Sequence, residues 1–153
     1  MRLTRYTDYA LRILIHLALE ERMCSIGEIA RVYDISHNHL MKVAHALVRA
    51  GFVETVRGRA GGMQLARKPE EISVGEVVRL TEDGFDEVEC EICRHSPGCG
   101  LTSVLGRGMA AMLTVFDRYT IADLLTDKAV LRRLIANEAP LGIGHGSGRT
   151  VLQ

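Results

Sequence analysis

The sequence predicts a mainly α-helical fold with one small β-hairpin, and three observations carry that reading. Apolar residues recur at three- and four-residue spacing through most of the chain, the period of helices with one buried face. One segment, residues 52–66, switches to a β-branched, alternating pattern around a glycine-rich centre. Ser25, Ser36 and Ser73 stand directly before apolar periodic runs, where helix caps belong. The chain has 153 residues, of which 47% are hydrophobic and 25% charged. That is one domain, or one small domain with an appendage, large enough to bury a core without disulfides. Mean hydropathy is +0.08 and no apolar run approaches a membrane span. The first residues, Met-Arg-Leu-Thr-Arg-Tyr-Thr-Asp, lack a signal-peptide pattern, so a cytoplasmic protein with reduced cysteines is expected.

The first helix is predicted over residues 4–20, with Tyr6, Tyr9, Ala10, Ile13, Leu14, Leu17 and Ala18 on one face and Thr4 or Thr7 as cap. Ser25 and Glu28 have capping-box spacing before a short helix striped by Ile26, Ile29, Ala30 and Val32. Tyr33-Asp34-Ile35 breaks the pattern, and Ser36 opens a third helix from about His37 to Ala50. Its buried stripe is Leu40, Val43, Ala44, Leu47 and Val48, and Gly51 closes it. Residues 52–56 and 63–66 then form a hairpin around Arg57-Gly58-Arg59-Ala60-Gly61-Gly62. Ser73 and Glu76 form a second capping box. Residues 83–101 read as an acidic, cysteine-bearing loop. A long helix from about Leu101 to Tyr119, a turn at 121–125 and a last helix from Lys128 to Glu138 follow. The glycine-rich tail from Ala139 is expected to lack fixed structure.

This order is that of a winged helix-turn-helix followed by a long dimerisation helix. It divides the chain into a DNA-binding unit at 1–82, a cysteine loop at 83–100, dimerisation and C-terminal helices at 101–138, and a tail at 139–153. Net charge is zero overall but unevenly placed: +5 over residues 1–68, −7 over 69–99 and +2 over 100–153. A basic N-terminal half suits a polyanion such as DNA. In a winged helix-turn-helix the third helix enters the major groove with its N-terminal residues against base edges. The residues at that end are Ser36, His37, Asn38, His39 and Lys42. Asn can read adenine bidentately, and Lys can reach guanine or phosphate. Arg57 and Arg59 on the hairpin tip can reach phosphates or a narrow minor groove. His16 and His45 are expected to be core or surface histidines without such a role.

Cys90, Cys93 and Cys99 fall within ten residues, and Pro97-Gly98 can bend the chain so that their thiolates converge. Three soft ligands in one loop suit zinc or an iron–sulfur cluster. A structural zinc site would favour a second Cys-x-x-Cys or His pair, and none is present. His95 is the local histidine available as a fourth ligand. Cys24 stands apart and is expected to be a small buried apolar residue. No carboxylate pair, nucleophile–base pair or phosphate loop suggests an enzyme. The glycines at 58, 61 and 62 lie on a hairpin, unlike a Walker turn.

Over residues 1–125 the chain resembles the Rrf-two family of iron–sulfur winged-helix regulators, and within it the nitric-oxide-sensing repressors. The resemblance rests on Met-Arg-Leu-Thr-Arg-Tyr-Thr-Asp-Tyr-Ala-Leu-Arg at the start and Ile35-Ser-His-Asn-His-Leu-Met-Lys-Val at the third helix. Glu54-Thr-Val-Arg-Gly-Arg-Ala-Gly-Gly in the wing and the cysteine loop leading to Asp117-Arg-Tyr-Thr-Ile-Ala-Asp-Leu-Leu complete it. It implies that Cys90, Cys93 and Cys99 hold a 4Fe-4S or 2Fe-2S cluster. It implies a fourth, carboxylate ligand from the partner's first helix, which matches Asp8. Residues 100–105, shortly after Cys99, contain no histidine to take that place, which favours the nitric-oxide branch over the cluster-supply regulators. The implied function is a homodimer that binds palindromic operator DNA and releases it when nitric oxide attacks the cluster. A regulator reporting iron or cluster supply, and a DNA-binding module with structural zinc, are the alternatives.

Overall fold

The computed structural model describes residues 3–56, 58, 61–82 and 100–136. The wing-tip residues Arg57 and Arg59, the loop with Cys90, Cys93, His95 and Cys99, and the tail from residue 139 lie outside the described residues. Three helices form the head: α1 (Arg5–Glu20), α2 (Ile26–Tyr33) and α3 (His37–Arg49). Strands β1 (Val53–Val56) and β2 (Gly62–Leu65) pair antiparallel, with Val53 opposite Leu65 and Val56 opposite Gly62. Helix α4 (Val74–Thr81), long helix α5 (Leu101–Phe116) and α6 (Lys128–Ala136) follow. The fold is the mainly helical winged helix-turn-helix that the sequence predicts. No helix among the described residues is long and apolar enough to cross a membrane.

The predicted stripes meet in one core. Ala10, Ile13, Leu14 and Leu17 of α1, Ile29 of α2, and Leu40, Val43, Ala44 and Leu47 of α3 are all buried, joined by Phe52, Val53 and Met63 at the wing root. Val48 is only half-buried. Helix starts follow the serines unevenly. Ser73 forms a full capping box with Glu76. Ser25 accepts from the Glu28 amide at 3.1 Å, but the Glu28 carboxylate does not return the bond to the cap. It is held instead by the Arg22 guanidinium, a charge-assisted partner that outweighs a neutral amide. Ser36 makes no capping bond at all.

Gly51 and Gly62 are each required by geometry. Gly51 ends α3 with φ of +75°, a left-handed conformation costly for other residues. A side chain on Gly62 would place its Cβ 2.8 Å from the Cys24 carbonyl oxygen. That close approach lets β2 dock on the α1–α2 turn, where Cys24 and Met63 exchange two backbone hydrogen bonds of 3.0 and 2.8 Å. The wing is thereby fixed to the first two helices at its root.

A second small core of Val74, Val78 and Leu113 joins α4 to α5. Arg79 reinforces it with a bidentate pair to Asp117, both contacts at 2.7 Å. A 3-10 turn at Pro69–Glu71, absent from the sequence reading, leads into α4. The predicted turn near residue 121 is a 3-10 turn at Ala122–Leu124. Much of α5 stays uncovered: Leu101, Val104, Leu105 and Val115 are exposed, Val104 at 64%.

Candidate nucleic-acid interface and cluster ligands

Helix α3 turns its buried apolar residues, Leu40, Val43, Ala44 and Leu47, to α1, α2 and the wing root, and presents its opposite face to solvent. Ser36, His37, Asn38, His39 and Lys42 lie on its first two turns and are exposed. Ser36, His37, Asn38 and Lys42 make no side-chain hydrogen bond or ion pair with the described residues. Ser36 is thus free of the capping task that its position suggests. His39 is tied to α1, where its ring stacks on Tyr9 with centroids 6.4 Å apart. Tyr6 adds a long hydrogen bond of 3.4 Å from its hydroxyl to the Lys42 carbonyl. These contacts brace the helix from behind and leave its outer face open.

Asn38, Met41, Lys42 and His45 line a shallow depression on that face. Met41 and His45 therefore join the surface, although the sequence reading left them out. Their signal was present: residues 38, 41, 42 and 45 share one face of a 3.6-residue helix. The arrangement offers an amide, an imidazole, an ammonium and a methionine side chain to a single groove-sized surface.

Asp8 lies in the first turn of α1 and is ion-paired with Arg12 one turn later, at 2.9 Å. Its side chain is 44% exposed, so the carboxylate can be reached from outside the domain. Arg12 also lies 5.5 Å from the centre of the Tyr33 ring, at the end of α2. Tyr33 is buried, and that burial pushes its hydroxyl up to about 12. The neighbouring Thr7 faces the other way, into α4. Glu82, the last described residue before the cysteine loop, accepts from the Thr4 amide at 2.7 Å, the Thr4 hydroxyl at 3.0 Å and the Thr7 hydroxyl. The end of α4 is thus pinned to the start of α1, the turn that carries Asp8. Cys90, Cys93 and Cys99 themselves, and Arg57 and Arg59, are outside the described residues.

The geometry defines a winged-helix transcriptional regulator. The chain belongs to the Rrf2 family of iron-dependent transcriptional regulators, whose pattern matches residues 3–127. It is 49% identical to the HTH-type transcriptional regulator NsrR of Bacillus subtilis over 142 residues, covering 88% of this chain and 97% of that protein. It is 46% identical to NsrR of Shouchella clausii, covering 88% of this chain and 95% of that one. Among solved structures it resembles CymR, the global cysteine regulator of B. subtilis, with a TM-score of 0.69, 28% identity and coverage of 81% and 95%. T. potens IscR is similar, with a TM-score of 0.67, 28% identity and coverage of 86% and 91%. Relatives of this kind are regulators of transcription, and the chain is not an enzyme.

Proposed function

We propose that the protein is a homodimeric repressor that binds palindromic operator DNA with an iron–sulfur cluster in place and releases it in response to nitric oxide. The observation that carries the DNA reading is the bare outer face of α3. Four polar side chains at its start have no partner within the described residues, on a helix braced from behind. Polar groups held in fixed places and left unpaired are what base edges require. Asn38 is assigned to base reading and Lys42 to guanine or phosphate. His37 and Ser36 contact the neighbouring backbone, and His39 orients the helix. Arg57 and Arg59 anchor the wing on phosphates.

The homodimer is supported by α5. Val104, Leu105 and Val115 are exposed, and Gly106 and Gly108 have open space where a side chain would stand. An apolar helix face of this extent suits a second copy of itself at close approach.

The donor set fits an iron–sulfur cluster. Cys90, Cys93 and Cys99 supply soft thiolates, and Asp8 supplies a reachable carboxylate held by one half-buried arginine, Arg12. When bound, the cluster supplies iron that nitric oxide can attack. The chain's own residues supply the route to DNA. Asp8 holds Arg12, Arg12 lies on Tyr33, and Tyr33 ends the helix that leads into α3. A change in the partner of Asp8 therefore acts on the element that sets the angle of the reading helix. Glu82 adds a second link, from the end of α4 to α1.

The test is anaerobic purification with iron and sulfide assays. The wild-type chain should be coloured and hold iron and acid-labile sulfide, and replacing Cys90, Cys93 or Cys99 with Ser should abolish both. A colourless chain holding stoichiometric zinc would refute the reading.

A further inference from the structure

His16, Cys24 and Glu28 come from three neighbouring pieces of the head: α1, the α1–α2 turn and α2. One ligand atom from each lies within 4.8 Å of the other two. His16 is 1% exposed and Cys24 is fully buried. Neither ring nitrogen of His16 has a hydrogen-bond partner. Buried polar atoms are nearly always paired, because an unpaired one loses its hydration for nothing. The edge of the Tyr33 ring, 5.7 Å away by centroids, gives His16 packing but no acceptor. Burial drives its pKa down, so the imidazole is neutral and its lone pair is available. The Cys24 thiol donates only a long bond, 3.6 Å, to the Arg22 carbonyl. Glu28 already holds a cation at this place, the Arg22 guanidinium.

We propose that His16, Cys24 and Glu28 form a binding site for zinc, separate from the cysteine loop. Neutral imidazole, thiolate and carboxylate are a zinc ligand set, and three protein ligands leave a fourth position for water. Tetrahedral zinc needs ligand atoms about 3.5 Å apart, so each must move by about 1 Å or less. Binding replaces the thiol proton of Cys24 with the metal and releases that proton to solvent. The buried thiol is pushed up to about 11, so the metal must draw the proton off. Arg22 gives up Glu28 and keeps Glu20, which it already holds at 3.0 Å. Glu28 ties the site to α2, and the Cys24 backbone ties it to Met63 of the wing. Zinc here would clamp α2, which leads into the reading helix, and the wing root to α1.

The test uses the full chain with Cys90, Cys93 and Cys99 all changed to Ser, so that Cys24 is the remaining thiol. Cobalt titration should show one equivalent bound with a thiolate-to-metal charge-transfer band, and zinc should displace it and raise the melting temperature. Glu28→Gln, which keeps the size of the side chain, should weaken binding by about tenfold or more. Cys24→Ala should lose the charge-transfer band, with circular dichroism confirming its fold. If Cys24→Ala does not fold, the band and its weakening in Glu28→Gln decide the matter. No stoichiometric binding at micromolar metal, or binding unchanged in Glu28→Gln, would overturn the proposal.

Discussion

Replacing Asn38 with Ala should separate reading from folding. Asn38 is exposed and its side chain has no hydrogen bond within the described residues, so the fold loses no contact. Ala has the higher helix propensity, worth about 0.5 kcal/mol, and the melting temperature should hold or rise slightly. Binding should behave otherwise. A bidentate amide–adenine contact discriminates by about 1–3 kcal/mol, which is about 5–150-fold in affinity. A symmetric dimer contains two such residues, so the losses at the two half-sites compound. The assay is fluorescence anisotropy at fixed salt, with an operator selected from random DNA by the wild-type protein. Random-sequence DNA is the control. Asn38→Ala should lose affinity for the operator while its affinity for random DNA stays near wild type. Lys42→Ala, if that ammonium meets phosphate, should weaken both and reduce the salt slope by about 0.9 per protomer. Equal losses on both DNAs for Asn38→Ala, or a large fall in melting temperature, would refute the assignment.

Metal-free protein should lose stability as pH falls below 6.5, the ordinary imidazole value, because burial keeps His16 neutral in the fold while the unfolded chain takes up the proton. Its contribution is present above pH 6.5 and declines below it by at most about 1.4 kcal/mol per pH unit. Glu20 and Glu28 oppose the effect by favouring the charged ring. Denaturant melts of wild type and His16→Leu should show a stability difference that shifts toward the variant in that window; a pH-independent difference would contradict it. Val104→Glu, at a position that is 64% exposed, should leave the monomer folded but shift sedimentation from dimer to monomer. Asp8→Ala and Asp8→Asn should leave a cluster on the cysteines but change its absorption spectrum and its response to nitric oxide. Spectra and titrations matching wild type would remove Asp8 from the ligand set.

The helices of the head were legible because Ile13, Leu17, Leu40, Val43 and Leu47 could be placed by spacing alone, and all are buried. The hairpin was legible because β-branched residues flank a glycine-rich turn. Side-chain competition was not legible. Ser25 and Glu28 have the spacing of a capping box, yet Arg22 takes the carboxylate, and no local pattern ranks those partners. His16 read as a satisfied or surface histidine, but it is buried with both nitrogens unpaired. Its neighbours depend on how α1, the turn and α2 fold together. Cys24 was correctly expected to be buried, while its closeness to His16 and Glu28 is a tertiary fact. The wing glycines read as the centre of a hairpin turn. Gly62 is needed for a close approach to the Cys24 carbonyl, which no local pattern shows. The exposed apolar face of α5 was visible as a surplus of apolar residues over what one buried stripe needs.

The central claim is that cluster state governs DNA affinity, and one titration tests it directly. Anaerobic, cluster-loaded protein is bound to fluorescent operator DNA, and nitric oxide is added in steps while anisotropy and absorption are read on the same sample. The account predicts that operator binding falls in step with the change in the cluster spectrum. It also predicts that the chain with Cys90, Cys93 and Cys99 changed to Ser binds the operator weakly with or without nitric oxide. Operator binding that persists after the spectrum has fully changed, or that is equally tight in the cysteine-free loop, would contradict it.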